Sequence, residues 1–98
     1  MKFLEENKIE KRLIKEIEKL GGKALKFTSP GMIGVPDRIV LLPHGKLIFV
    51  ELKAPGKKLK VIQEYRAKQL RKLGFDVRCI DSTDLIMKLV KEVRGNAI

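Results

Sequence analysis

The segment Pro36-Asp37-Arg38-Ile39-Val40-Leu41-Leu42-Pro43-His44-Gly45-Lys46-Leu47-Ile48-Phe49-Val50-Glu51-Leu52-Lys53 holds two strand-like runs, Asp37 to Leu42 and Lys46 to Lys53. Pro43-His44-Gly45 between them has the composition of a tight reversal, so the runs are expected to pair as a hairpin. A hairpin sets the start of its first strand beside the end of its second, which brings Asp37 near Glu51 and Lys53. Side chains alternate along a strand, so Glu51 and Lys53 share one face while Leu52 points to the other. Pro36 disfavours the helical region for Val35 and keeps the approach to Asp37 extended.

Outward from the hairpin, hydrophobic period sets the rest. From about Glu5 to Leu20, Ile9, Leu13, Ile14, Ile17 and Leu20 recur at helical spacing until Gly21-Gly22 stops them. Lys23 to Phe27 reads as a short strand and Ser29 to Pro36 as a loop. Beyond Ala54-Pro55-Gly56, helical period returns at Leu59, Ile62, Ala67, Leu70 and Leu73, ends at Gly74, and leads into a strand from about Asp76 to Ile80. The last helix takes Ser82 as N-cap and Asp84 in its first turn, with Leu85, Ile86, Leu89, Val90 and Val93 inward. The order is α-β-β-β-α-β-α. The second half of the hairpin, the following helix and the strand near Val77 form a βαβ unit, which is parallel and right-handed in nearly all proteins. The expected class is α/β, a mixed central sheet flanked by helices, and its order is that of the restriction-endonuclease-like fold. Order alone carries no chemistry.

Ninety-eight residues suit a single domain spanning residues 1–98. Twenty-two basic against 12 acidic side chains leave a formal charge of +10, which points to a polyanionic partner. No apolar run approaches the roughly 18 residues of a spanning helix, so a membrane is the weaker partner. The N-terminus becomes charged after four residues and lacks the pattern of a secretory signal. Its one cysteine, Cys79, between Val77 and Ile80 with an intervening arginine, reads as a buried, inert thiol. Both features suit a reducing, intracellular (cytoplasmic) setting.

Phosphodiester cleavage needs a nucleophilic water, charge relief at phosphorus and a stabilised leaving oxygen, and a hard cation held by oxygen ligands serves all three. Asp37 and Glu51 fit as ligands to Mg²⁺ or Mn²⁺, with the backbone carbonyl of Leu52 as a neutral third oxygen. Lys53 either orients or deprotonates the water, or offsets charge building on the phosphate. The plain alternative is a surface Glu-x-Lys pair of little energetic value. Against it stands the preceding run Leu47-Ile48-Phe49-Val50, which has the character of a buried central strand, where charges are costly unless paired or metal-bound.

Glu10 lies on the apolar stripe of the first helix and is the favoured third acid, as a ligand directly or through water. Glu6, one turn earlier, is the alternative, while Glu5, Glu16 and Glu18 read as solvent-facing. Gln63 falls near the inward side of its helix, where it either bonds a ligand water or phosphate or satisfies local backbone. Tyr65 is either a base-stacking ring or a half-buried core residue. His44 at the hairpin tip is remote from the acids, and no Cys/His cluster or phosphate-binding glycine pattern occurs.

Gly34-Val35-Pro36-Asp37-Arg38, Phe49-Val50-Glu51-Leu52-Lys53-Ala54-Pro55-Gly56 and Gln63 together resemble the VRR-NUC family of virus-type replication-repair nucleases, part of the PD-(D/E)xK superfamily. The resemblance spans most of the chain. It implies a helix-1 acid matched by Glu10, metal ligands matched by Asp37 and Glu51, a catalytic lysine matched by Lys53 and a motif glutamine matched by Gln63. It further implies a metal-dependent endonuclease of DNA repair and recombination, in a bacterial or phage-infected cell. Stand-alone, phage-type members are expected to dimerise and resolve four-way (Holliday) junctions, whereas members fused to larger proteins cut flaps or other branches. With no second domain to supply another geometry, junction cleavage is the first reading.

The stretch from Lys57 to Lys72 carries seven basic residues, Lys57, Lys58, Lys60 and Arg66 foremost, against Glu64 alone. Such a surface suits duplex phosphates, with Arg38 and residues 29–32 as further contacts. Competing readings are a solvated helix face, a non-catalytic nucleic-acid-binding module, and an assembly subunit with incidental charge. Asp37 with Glu51 separates the first reading from these, because carboxylates repel phosphates at a face that holds no metal.

Overall fold

The computed structural model describes residues 2–96, with side chains from 5 to 95. Its elements are α1 (Lys2–Lys19), β1 (Lys23–Lys26), β2 (Arg38–Leu42), a 3₁₀ turn (Pro43–Gly45), β3 (Lys46–Leu52), α2 (Val61–Lys72), β4 (Asp76–Ile80) and α3 (Thr83–Asn96). The four strands form one sheet in the order β1-β2-β3-β4. The first three are antiparallel and β4 runs parallel to β3, as the expected order requires. The hairpin closes through His44, whose φ of 68° lies in the left-handed region. Ser82 caps α3 by accepting the Leu85 N–H at 3.2 Å.

Alternation sorts the strand residues into two layers. Val40, Ile48, Val50 and Ile80 face α1 and α3, where Ile9, Leu13, Ile17, Ile86, Leu89 and Val90 complete the main core. Phe49 and Val77 face α2 with Ala67, joined at the margin by Phe27, Ile39, Leu47 and Leu70. Two helices thus cover one face and a single 12-residue helix the other, which leaves Leu25, Leu41 and Phe75 substantially exposed. β3 pairs on both sides and is buried from Ile48 onward, so it is the central strand that its apolar run promises.

Several expectations shift. Asp37 sits in the bend before β2, and Lys53 just after β3, although its N–H still donates to the Ile80 carbonyl at 3.0 Å. Leu59 precedes α2, and Leu73 is its C-cap and largely exposed, because the chain turns there through Gly74. Glu16 is not solvent-facing: only 5% of it is exposed. It lies on the buried side of α1, three residues after Leu13 and next to Ile17, and Arg12, which binds it at 2.9 Å, also reaches Met87 of α3. Burial alone would raise the Glu16 pKa, but the Arg12 hydrogen bond and the charges of Lys19 and Arg12 hold it below the usual range. Cys79 is exposed rather than buried, because β4 is an edge strand. Partial burial of the thiol and the neighbouring charges of Asp81 and Glu51 push its pKa up.

Among the described residues, no helix is long and apolar enough to cross a membrane.

Candidate active site

The end of the hairpin builds the site. Arg38 and Val50 are the last paired residues of β2 and β3, so one further step sets Asp37 opposite Glu51 on the α2 side of the sheet. Two bonds hold Asp37 there. Its carbonyl accepts the Phe27 N–H at 2.9 Å, and its Oδ1 accepts the Leu52 N–H at 3.1 Å. The side chain thus extends the ladder where main-chain pairing stops, and the two acids are kept in register by the sheet itself.

Glu51 is only 7% exposed. Its Oε2 lies 3.8 Å from the Lys53 ammonium and accepts the Gln63 amide N–H at 3.3 Å. The Gln63 Oε1 in turn accepts the Lys60 N–H at 2.8 Å, capping the start of α2 and fixing which way the amide points. Of the two roles open to Gln63 in the sequence, it fills the local one, satisfying the Lys60 N–H, and it also touches Glu51. The loop before Asp37 is seated by Gly34, whose φ is +85° and where a Cβ would meet Ile62 Cγ1 at 2.7 Å and the Ile62 carbonyl at 2.8 Å. Only glycine lets this loop lie so close to the first turn of α2. Arg66 ties it further by donating to the Ile33 carbonyl at 2.7 Å.

Electrostatically the pair is under-neutralised. Burial and then the charge of Asp37 push the Glu51 carboxyl up to about 7, with Lys53 opposing. Burial raises Asp37 too, against the Leu52 N–H that favours its charged form. Two neighbouring, partly desolvated carboxylates with one ammonium are oxygen donors of the kind that could hold a divalent cation. Among the described residues no group of three or more His, Cys, Asp or Glu side chains is placed to hold a metal, so any cation here rests on two carboxylates with backbone, water or phosphate oxygens.

The helix-1 acids fall differently from expectation. Glu10 is engaged by Arg38 at 3.0 Å, and Arg38 also donates to the Ala24 carbonyl at 3.2 Å. This arginine lies on the sheet face opposite Asp37 and its side chain is 12% exposed, so it is not free for a phosphate. The α1 charge that both Asp37 and Glu51 feel is that of Glu6. The hydrophobic stripe shows that Glu6 and Glu10 share a side of the helix, but not which turn overhangs the sheet end. Lys57, Lys58 and Lys60 are exposed on the segment between β3 and α2, and Tyr65 is exposed on α2 rather than buried. His44 sits at the hairpin turn.

No family model matches the chain. The protein named "Putative nuclease p44" of Acyrthosiphon pisum secondary endosymbiont phage 1 is 52% identical over 85 residues, which are 87% of this chain and 91% of that protein. A solved structure described as a VRR_NUC domain superposes with a TM-score of 0.83 at 32% identity, over 89% of this chain and 95% of its own. The hairpin-end acids, the lysine two residues on and the helix glutamine therefore sit on a restriction-endonuclease-like α/β scaffold, and the chain belongs to the VRR-NUC family of nucleases.

Proposed function

We propose that this nuclease hydrolyses phosphodiester bonds of branched DNA, four-way junctions first, with Mg²⁺ or Mn²⁺ held by Asp37 and Glu51. The observation that carries the reading is Glu51: a nearly buried carboxylate facing a second one, its pKa pushed up to about 7. An ordinary surface ion pair has no reason to accept that cost. When bound, the cation polarises the phosphoryl oxygen and acidifies its water. The Leu52 carbonyl is a candidate neutral ligand, and Glu6 or Glu10 a ligand through water.

The chain's own groups then have separable tasks. Asp37, with Oδ1 committed to the Leu52 N–H, would hold the cation through its remaining oxygen. Gln63 keeps Glu51 in one orientation. Lys53, held beside Glu51, orients the attacking water or offsets charge developing on the phosphate. Lys57, Lys58 and Lys60 receive the backbone next to the cut, and Arg66 acts from α2.

Two cuts across a junction call for two copies, and the half-bare sheet face carrying Leu25, Leu41 and Phe75 favours a homodimer. The nearest rival, a non-catalytic binding module, leaves two carboxylates repelling the bound phosphates for no gain. The test is to incubate labelled four-way junction, flap and plain duplex with the protein, with and without Mg²⁺ or Mn²⁺, alongside Asp37→Asn and Lys53→Ala. Metal-dependent cutting of the junction, lost in both variants, is expected. Equal cutting by the variants removes the mechanism, and tight binding without cutting under either metal supports the binding module.

A further inference from the structure

An open groove of about 610 Å³ lies between the loop that leads to Asp37 and the flank of α2. Its lining is apolar at Met32, Val35, Leu70 and the largely exposed Leu73, and basic at Arg66, Lys68 and Lys72. Tyr65 stands at its wall, 53% exposed. Of its lining the proposed cleavage draws only on Arg66, and Arg66, Gln69 and Tyr65 are held in place. Arg66 donates to the Ile33 carbonyl at 2.7 Å and to Gln69 Oε1 at 2.8 Å, and its guanidinium carbon lies 5.3 Å from the Tyr65 ring centroid. Gln69 donates in turn to the Tyr65 hydroxyl at 3.3 Å.

We infer that this groove takes an unpaired base of the DNA substrate, stacked on Tyr65, while Arg66, Lys68 and Lys72 hold the adjoining phosphates. An aromatic platform with a cationic rim is the chemistry by which single-stranded nucleic acid is bound, and the volume lies within the range of small-ligand sites. The lining carries Arg66, Lys68 and Lys72 and no acid, so a polyanion meets it with opposite sign. Helix geometry sets the position. Gln63 touches Glu51, and Tyr65 follows two residues later, a turn of about 200°, so its ring stands across α2 from that amide, about a helix diameter or roughly 10 Å away. A base in a continuous duplex stays within its stack, so the groove favours DNA with an unpaired base near the cut.

The inference rests on the nuclease reading for its substrate, and its test is independent of cleavage. Binding of plain duplex, and of duplex with an unpaired three-nucleotide flap carrying 2-aminopurine, is measured by anisotropy and base fluorescence in a metal chelator. Tyr65→Leu and Tyr65→Phe are compared with the natural chain. Tyr65→Leu is expected to weaken flap binding by about tenfold, the scale of one stacking interaction, to leave duplex binding within about twofold, and to abolish 2-aminopurine quenching. Tyr65→Phe keeps all three. Equal loss on both DNAs, or no loss on either, overturns the inference, as does a change from dimer to monomer in sedimentation with Tyr65→Leu, which would give the groove to a second copy. Lost cutting with intact flap binding indicts the carboxylates instead.

Discussion

Replacing Glu51 by glutamine should stabilise the cation-free protein, although it removes a residue at the heart of the site. The Glu51 carboxyl moves from an ordinary 4.5 to about 7 in the fold, chiefly through burial and then through Asp37. A carboxyl whose folded pKa is raised contributes stability that is complete below its unfolded pKa and is lost as pH rises through the folded value. From 4.5 to about 7, at about 1.36 kcal/mol per pKa unit, ionisation costs about 3 kcal/mol. Lys53 loses its partner in the variant, so the net gain at pH 8 should be about 2 kcal/mol, or about 10 °C in the midpoint of a domain this size. At pH 5, where Glu51 is largely protonated, the two proteins should melt within a few degrees of each other. The assay is thermal or urea unfolding in chelator at pH 5 and pH 8. Saturating Mn²⁺ should then reverse the order, because a ligand at a hundred times its Kd adds about 2.7 kcal/mol to the form that binds it. A Glu51→Gln variant with the same pH slope as the natural chain refutes the account of a buried, under-neutralised carboxylate.

Other consequences are simpler to read. Gly34→Ala places a methyl group 2.7 Å from Ile62 at a φ of +85° and should cost about 1–3 kcal/mol in urea unfolding. Asp37→Asn retains an oxygen for the Leu52 N–H, so its cation-free midpoint should stay at or above that of the natural chain while Mn²⁺ no longer raises it. Lys53→Ala should lower kcat by about 10²–10⁴-fold in single-turnover cleavage while leaving DNA affinity in chelator within severalfold. Lys57→Ala or Lys58→Ala should flatten the slope of log affinity against log salt by about 0.9 for each phosphate that the side chain neutralises. An unchanged slope removes that lysine from the DNA surface.

The hairpin and the grouping of Asp37, Glu51 and Lys53 at its end were legible because strand alternation and one turn fix both. Strand alternation set Glu51 and Lys53 on one face, and Pro43-His44-Gly45 brought Asp37 to them. The βαβ half followed from glycine punctuation and an unambiguous helical stripe. What the sequence hid depends on neighbours distant along the chain. Glu16 follows Leu13 by three residues and precedes Leu20 by four, so its spacing places it on the apolar stripe while its charge argues for water, and its partner Arg12 reaches Met87 of α3, more than 60 residues later. Cys79 has the flanking residues of a core strand but belongs to an edge. Glu10 and Glu6 occupy equivalent places on one stripe, and only the position of Arg38 separates them. The groove beside Tyr65 joins a loop to a helix, and no one-dimensional period encodes that junction.

The hydrogen bond between Asp37 Oδ1 and the Leu52 amide makes one side chain answer to two demands. Lengthening it to glutamate would shift the negative charge by one methylene and also unfasten the strand end on which Glu51 is carried. With the proposed cation at residue 37, drift there is confined from both directions: asparagine keeps the fastening and gives up the charge, and glutamate keeps the charge and loosens the fastening.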